Sequence, residues 1–230
     1  MPDSISQWLP LLNNSLWFRH LPPALQQSLL QAAQLRQLQS NQLLFPRGEQ
    51  SADLFAVLQG ALCVGTLDAE GREVLLTVAE PVTWFGEIAL FDAQPRTHDV
   101  RAAGPTTLLC IPQAALQQLL AEQPHWWREF ALLLCHKLRL AFNNAEDLSL
   151  LPAGPRLARR LLLIARGYGD ARTTQQQIRL TQERLAQMLS LSRQTTNQLL
   201  RELEQQGVLR LQPGCIEIVD LPALEQAASH

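Results

Sequence analysis

The sequence predicts an α+β chain with three parts: a compact antiparallel β domain, sandwich or barrel, over residues 1–122, a long helix over 123–151, and a winged helix-turn-helix over 152–230. Three observations carry this. Short apolar runs between Leu43 and Pro112 are punctuated by Gly48, Gly60, Gly71, Pro81, Gly104 and Pro105, the pattern of a compact antiparallel sandwich or barrel. Trp127, Leu134, Leu138, Ala141, Ala145 and Leu148 then recur at heptad spacing. Two helices opened by Thr181 and Ser192 are followed by a hairpin pattern.

In chain order, residues 4–38 read as helical, rich in Leu, Gln and Ala, with a break at Pro22 and Pro23. The runs "LFAVLQ", "ALCVGTL", "EVLLTVA" and "TLLCIP" read as strands, and "LDAEGREV" as a hairpin turning at Gly71. A short helix spans Pro112–Ala121, and the long one starts near Pro124. Its a/d stripe is narrow, the mark of a helix that pairs with a second copy, so the expected assembly is a homodimer. "LPAGP" (Leu151–Pro155) is the expected hinge, with Pro155 in the first turn of the next helix.

Charge divides along the same line. Residues 1–152 hold 9 Lys+Arg against 14 Asp+Glu, while residues 153–230 hold 10 against 7. The mildly basic C-terminal part suits a polyanion. In its second helix, Thr196, Leu199, Leu200 and Leu203 form the inward face, as Leu185, Ala186 and Leu189 do in the first. Arg193, Gln194, Asn197 and Gln198 are left outward, where a recognition helix meets base edges in a major groove. Arg bonds guanine bidentately, and Asn or Gln bonds adenine. Thr181, Ser192 and Thr195 are positioned for phosphates, and Gln182 is a further DNA-binding candidate. After Gly207, "VLRLQPGCIEIV" forms the wing, turning at Pro213-Gly214. Double-stranded DNA carrying a palindromic operator is the expected partner.

The stretch "FGEIALFDAQPRTHDVRA" (Phe85–Ala102) is polar amid β structure. A short helix starting near Gly86 would aim the backbone N–H groups of Gly86, Glu87, Ile88 and Ala89 at an anion. Arg96 and the Thr97 hydroxyl would add donors, and Glu87 is the acceptor for a sugar hydroxyl. Such a set describes a nucleotide site; the alternative is a Glu87–Arg96 ion pair in a loop that binds nothing.

With both motifs in hand, the whole chain resembles the CRP/FNR family of bacterial transcription regulators. "FGEIALFDAQPRTHDVRA" resembles that family's phosphate-binding cassette, and "SRQTTNQLLRELE" its recognition helix. The resemblance implies an N-terminal, jelly-roll-like cyclic-nucleotide-binding β-roll, a dimerisation helix, cyclic AMP or cyclic GMP as effector, allosteric control of the DNA-binding helices, and RNA polymerase as a candidate partner. The chain departs from the pattern in places. Ala141 and Phe142 stand where cyclic-AMP-responsive members have a Thr-Ser pair that contacts the base, leaving Phe142 to stack on it. Arg193, Gln194 and Gln198 replace an Arg-Glu-…-Arg trio, which implies a different operator. Ser190 occupies a turn position where glycine is usual. Two other functions are open: an effector-independent regulator with a vestigial sensor, or a cyclic-nucleotide-binding regulatory subunit of a partner enzyme.

Other classes are disfavoured. No apolar run reaches membrane-spanning length, and the N-terminus lacks a signal-peptide pattern, so the expected location is cytoplasmic, with no membrane partner. Cys63, Cys110, Cys135 and Cys215 show no metal-ligand spacing and read as buried free thiols. No metal, haem or iron–sulfur cluster is expected; His98 is a lone histidine, and no catalytic constellation stands out.

Overall fold

The computed structural model describes residues 3–67, 73–171 and 174–229. It divides into two compact units, Met1–Glu73 with Thr77–Leu138, and Val74–Leu76 with Arg139–His230. The hairpin tip expected at Gly71 lies outside the described residues.

The first unit begins with four short helices, α1 (Asp3–Ser6), α2 (Leu9–Leu12), α3 (Leu16–His20) and α4 (Pro23–Ala32). Ser15, fully buried, caps α3 by accepting a hydrogen bond from Phe18 N. The helical expectation to residue 38 is overturned at its end. Gln34–Leu38 is strand β1, paired antiparallel with β8 from Gln34↔Cys110 to Leu38↔Thr106. Gln, Leu and Arg all favour helix, but pairing against a sheet edge outweighs so weak a preference.

Strands β2 (Leu43–Phe45), β3 (Leu54–Gln59), β4 (Leu62–Leu67), β5 (Glu73–Ala79), β6 (Trp84–Phe85), β7 (Asp99–Ala102) and β8 (Thr106–Ile111) follow, with helix α5 (Ile88–Asp92) between β6 and β7. They form two four-stranded sheets, ordered β1-β8-β3-β6 and β2-β7-β4-β5. Strand β3, "LFAVLQ", is apolar and buried from Leu54 to Leu58 because both of its faces are covered. Leu54, Ala56 and Leu58 face a core shared with the N-terminal helices, including Phe18, Leu25 and Phe130. Phe55 and Val57 face a second core containing Phe45, Phe85, Val100 and Leu108. The two-residue strand period thus serves two cores from one run.

Helix α6 (Gln113–Glu122), a 3-10 turn (Pro124–Trp126) and helix α7 (Trp127–Leu150) complete the first unit and lead into the second. The N-terminal part of α7 is fastened by buried Phe130 and Leu133 and by Trp17 Nε1, which donates to Glu129 O at 2.8 Å. The predicted stripe divides accordingly. Trp127 rests on Phe91, with ring centroids 5.2 Å apart, and Leu134 is half-buried. Leu138, Ala141, Ala145 and Leu148 are exposed, as is Phe142 at 60 %.

In the second unit, helix α8 spans Ala153–Ala165, so only Leu151 and Pro152 interrupt the two helices and Gly154-Pro155 lies inside the first turn. Pro155 lacks an N–H that the first turn would leave unpaired in any case. Strand β9 (Gln177–Ile178), helices α9 (Gln182–Leu189) and α10 (Arg193–Gln205), strands β10 (Leu209–Gln212) and β11 (Cys215–Ile218), and helix α11 (Leu221–Ala227) follow. The wing strands pair from Leu209↔Ile218 to Gln212↔Cys215 around Pro213-Gly214, and β9 adds a third strand beside β11.

Ser190 ends α9 with φ 53°, and its N–H bonds back to Ala186 O and Gln187 O. A glycine adopts this left-handed geometry without the Cβ penalty. Ser190→Gly is expected to raise stability by about 0.5–1 kcal/mol, measured as a higher urea midpoint; an unchanged midpoint would show that the serine is not strained.

No disulfide joins Cys63, Cys110, Cys135 and Cys215, but only Cys63 and Cys110 are buried; Cys135 is exposed and Cys215 half-buried, which corrects the uniform expectation. Both lie on solvent-facing elements, α7 and the wing. Burial pushes the Cys110 thiol up to about 11, so it is inert near neutral pH.

Candidate cassette and nucleic-acid interface

The cassette starts where β6 ends. Gly86 has φ +106°, and a Cβ there would lie 2.4 Å from Asp53 O, so no larger residue fits this close approach. Glu87 is the N-cap of α5, which begins at Ile88, two residues later than expected, and makes little more than one turn. Ala93 closes it in the left-handed conformation. Ala89 is buried, whereas Ile88 and Phe91 are exposed.

The alternative expectation, a Glu87–Arg96 ion pair, is not what the geometry shows. Glu87 and Arg96 are not each other's partner. The Glu87 side chain is 2 % exposed and accepts a hydrogen bond from Lys137 Nζ of α7 at 2.7 Å. Arg96, 5 % exposed, turns inward. Its Nη1 donates to Gly86 O at 3.0 Å, and its Nη2 to Asp53 O at 2.8 Å and Ser51 Oγ at 3.4 Å. The guanidinium lies 4.4 Å over the Phe45 ring. Burial lowers its pKa from the ordinary value, opposed by Asp53, Glu49 and Glu87. The fork expected to clamp a phosphate therefore spans two backbone carbonyls, Gly86 O in its own loop and Asp53 O just before β3.

Thr97 is exposed and its hydroxyl lies 2.8 Å from His98 Nδ1. Burial, then Arg47, lower the His98 pKa, with Asp99 opposing, which favours the neutral ring. As a set, the cassette offers an acceptor in Glu87 and a donor in Thr97, which fits a nucleotide's sugar and phosphate, while the guanidinium is already engaged. Phe142 belongs to the second unit, on the exposed face of α7. Among the described residues no group of three or more His, Cys, Asp or Glu could hold a metal ion, and no helix is long and apolar enough to cross a membrane.

Sequence reasoning missed Lys137 and Asp53. Lys137 is the only lysine in the sequence, and that rarity was the available signal. Its compact ammonium suits a single buried carboxylate oxygen better than an arginine fork would. Asp53 meets Arg96 through its backbone carbonyl, which residue type does not signal, while its carboxylate accepts from Gln113 N at 2.7 Å.

In the second unit, Thr181 caps α9 by accepting from Arg184 N, and Ser192 caps α10 by accepting from Thr195 N. Ser192 and Thr195 also bond through their hydroxyls at 2.7 Å. Thr196 and Leu200 are fully buried and Leu203 nearly so, against buried Leu185, Ala186 and Leu189. This packing turns Arg193, Gln194 and Gln198 to solvent, with Gln198 Nε2 donating to Glu202 Oε1 at 3.0 Å. Asn197 and Gln182 are half-exposed and bonded to each other, Asn197 Nδ2 to Gln182 Oε1 at 2.8 Å. A recess of about 330 Å³ beside the start of α10 is lined by Thr181, Gln182, Arg193 and the wing turn Pro213-Gly214. A recognition helix flanked by a wing is the arrangement of a duplex reader.

Comparison with known proteins agrees with this two-part reading. Residues 35–123 match the cyclic nucleotide-binding domain, and residues 155–227 the Crp-like helix-turn-helix domain. The chain is 30 % identical over 186 residues to a CRP-like cAMP-activated global transcriptional regulator of Mycobacterium tuberculosis, covering 80 % of this chain and 83 % of that one. It is 27 % identical over 173 residues to the cAMP-activated global transcriptional regulator CRP of Escherichia coli, covering 74 % and 82 %. The structure of FixK2 from Bradyrhizobium japonicum superposes with a TM-score of 0.74 at 18 % identity, covering 85 % and 96 %. A sensor-type β domain joined to a DNA-binding helix-turn-helix defines a transcription regulator rather than an enzyme. The chain belongs to the CRP/FNR family.

Proposed function

We propose that the protein is a homodimeric, sequence-specific DNA-binding regulator whose β domain takes a cyclic nucleotide and so sets the spacing of two recognition helices. The observation that carries this is the Lys137–Glu87 contact. It joins the acid expected to meet a sugar hydroxyl to the residue next to Leu138 on the exposed stripe of α7. A ligand hydroxyl donating to Glu87 would share that carboxylate with Lys137, and so bias the packing of α7 against its copy. The cyclic AMP activation named for the relatives supports cyclic AMP as the first candidate, then cyclic GMP.

In this reading the cassette residues Gly86, Glu87, Ile88, Ala89 and Thr97 hold the nucleotide, Arg96 shapes the loop around it, and Phe142 stacks on its base. A two-fold dimer matches a palindromic operator. Arg193, Gln194, Asn197 and Gln198 would read bases, and Thr181, Gln182, Ser192 and Thr195 phosphates. Activation would add contacts with RNA polymerase.

Calorimetric titration with cyclic AMP and then cyclic GMP tests the reading, with Glu87→Gln as control. Saturable heat with one nucleotide, weakened at least tenfold in the variant, is expected for the loss of a charge-assisted hydrogen bond. A second reading, favoured by the engaged Arg96 guanidinium, is an effector-independent regulator whose β domain is a scaffold. Absence of heat with both nucleotides, together with operator binding unaffected by either, would establish that reading.

A further inference from the structure

We propose that Gln182 and Asn197 act as one reading unit, in which Gln182 is a positioning residue that fixes the amide of Asn197 for an adenine. The inference rests on the docking of α10 in a major groove and deepens that reading by assigning sequence specificity to a residue on the other helix. Its basis is a bond between two side chains 15 residues apart, at the first position of α9 and the fifth of α10.

An asparagine amide has two N–H donors and one carbonyl acceptor. Here one N–H is spent on Gln182 Oε1 at 2.8 Å, which leaves one N–H and Oδ1. That remainder is the pair adenine N7 and N6–H₂ require in the major groove. An asparagine held only by its own χ angles would order its amide on binding, at a cost in rotamer freedom. The bond to Gln182 orders it beforehand. Gln182 keeps both N–H donors, and so suits a phosphate oxygen. Neighbouring Gln198 is tied to Glu202, on its own helix, so Asn197 alone among these readers is tethered to α9.

The test is selection from a randomised duplex library by the full-length protein at one fixed salt concentration, with cyclic AMP present and absent. Asn197→Ala first identifies the operator position that it flattens. Gln182→Ala should flatten the same position, reducing the affinity ratio of adenine over guanine there by about tenfold, the range of one bidentate contact. Gln182→Glu keeps the acceptor but loses the donors and adds a negative charge. It should keep the adenine preference while weakening all sequences alike. Near-ultraviolet circular dichroism establishes that each variant is folded. An unchanged preference in Gln182→Ala, or its loss in both Gln182 variants, would overturn the positioning role. Selection of no sequence by the unsubstituted protein would instead overturn the groove-docking reading beneath it.

Discussion

Leu138→Glu is expected to leave the protomer folded and to abolish tight operator binding. Leu138 is 50 % exposed in the isolated chain and one turn from exposed Ala141 and Phe142, so the substitution removes little that the protomer itself buries. Surface changes of this kind stay within about 0.5 kcal/mol. Across a two-fold seam, however, a residue near the axis meets its own copy, and two carboxylates would face each other after leaving water. Loss of the dimer makes the second half-site contact bimolecular again, which removes about 10²–10⁴ in affinity. Sedimentation velocity should show a monomer with an unchanged melting curve, and operator titration should show only weak, strongly salt-dependent binding. A dimer that persists at low micromolar concentration would place the interface elsewhere.

Heptad spacing is what marked the stripe on α7 from which the dimer is proposed. Its upper limit was less visible. Trp127 satisfies the spacing, yet it packs on Phe91 within the same unit, a contact that periodicity cannot distinguish from an intermolecular one. The caps of the helix-turn-helix and the turn of the wing were legible because their signals are local. Thr181 and Ser192 are caps, Ser190 is a left-handed turn, and Pro213-Gly214 closes a two-residue loop. Helix α11 carried equally local signals, with Asp220 as cap and Pro222 in its first turn. Strand β1 did not, because "QLRQL" has the composition of a helix and becomes a strand only beside β8.

The cassette was legible as chemistry but not as geometry. Its residue types announce donors and an acceptor. Which atoms they meet depends on residues 43 and 50 positions away in sequence, Asp53 for Arg96 and Lys137 for Glu87. Long-range closure of this kind leaves no periodic trace. It also changes which variant is informative. Arg96→Ala is the natural control for phosphate binding if the guanidinium points outward, but not when it holds the loop.

Arg96→Ala is accordingly expected to lower stability before it lowers ligand affinity. The substitution removes the donors to Gly86 O and Asp53 O, and each carbonyl left buried and unpaired costs about 1–3 kcal/mol. It also removes the cation over Phe45, which contributes about 1–2 kcal/mol when desolvated. Together they predict a loss of about 3–8 kcal/mol, or roughly 10 °C or more in melting temperature for a unit of this size. Arg96→Lys should recover only part of this, since a single ammonium on a flexible stem cannot span two carbonyls as a planar fork does. Thr97→Ala, on an exposed side chain, should melt within about 0.5 kcal/mol of the unsubstituted protein and, where a nucleotide binds, weaken its heat. A melting temperature for Arg96→Ala within about 2 °C of the original would mean that water replaces the guanidinium at both carbonyls. The side chain would then be free to turn outward, and its charge would be available to a phosphate at little cost to the fold.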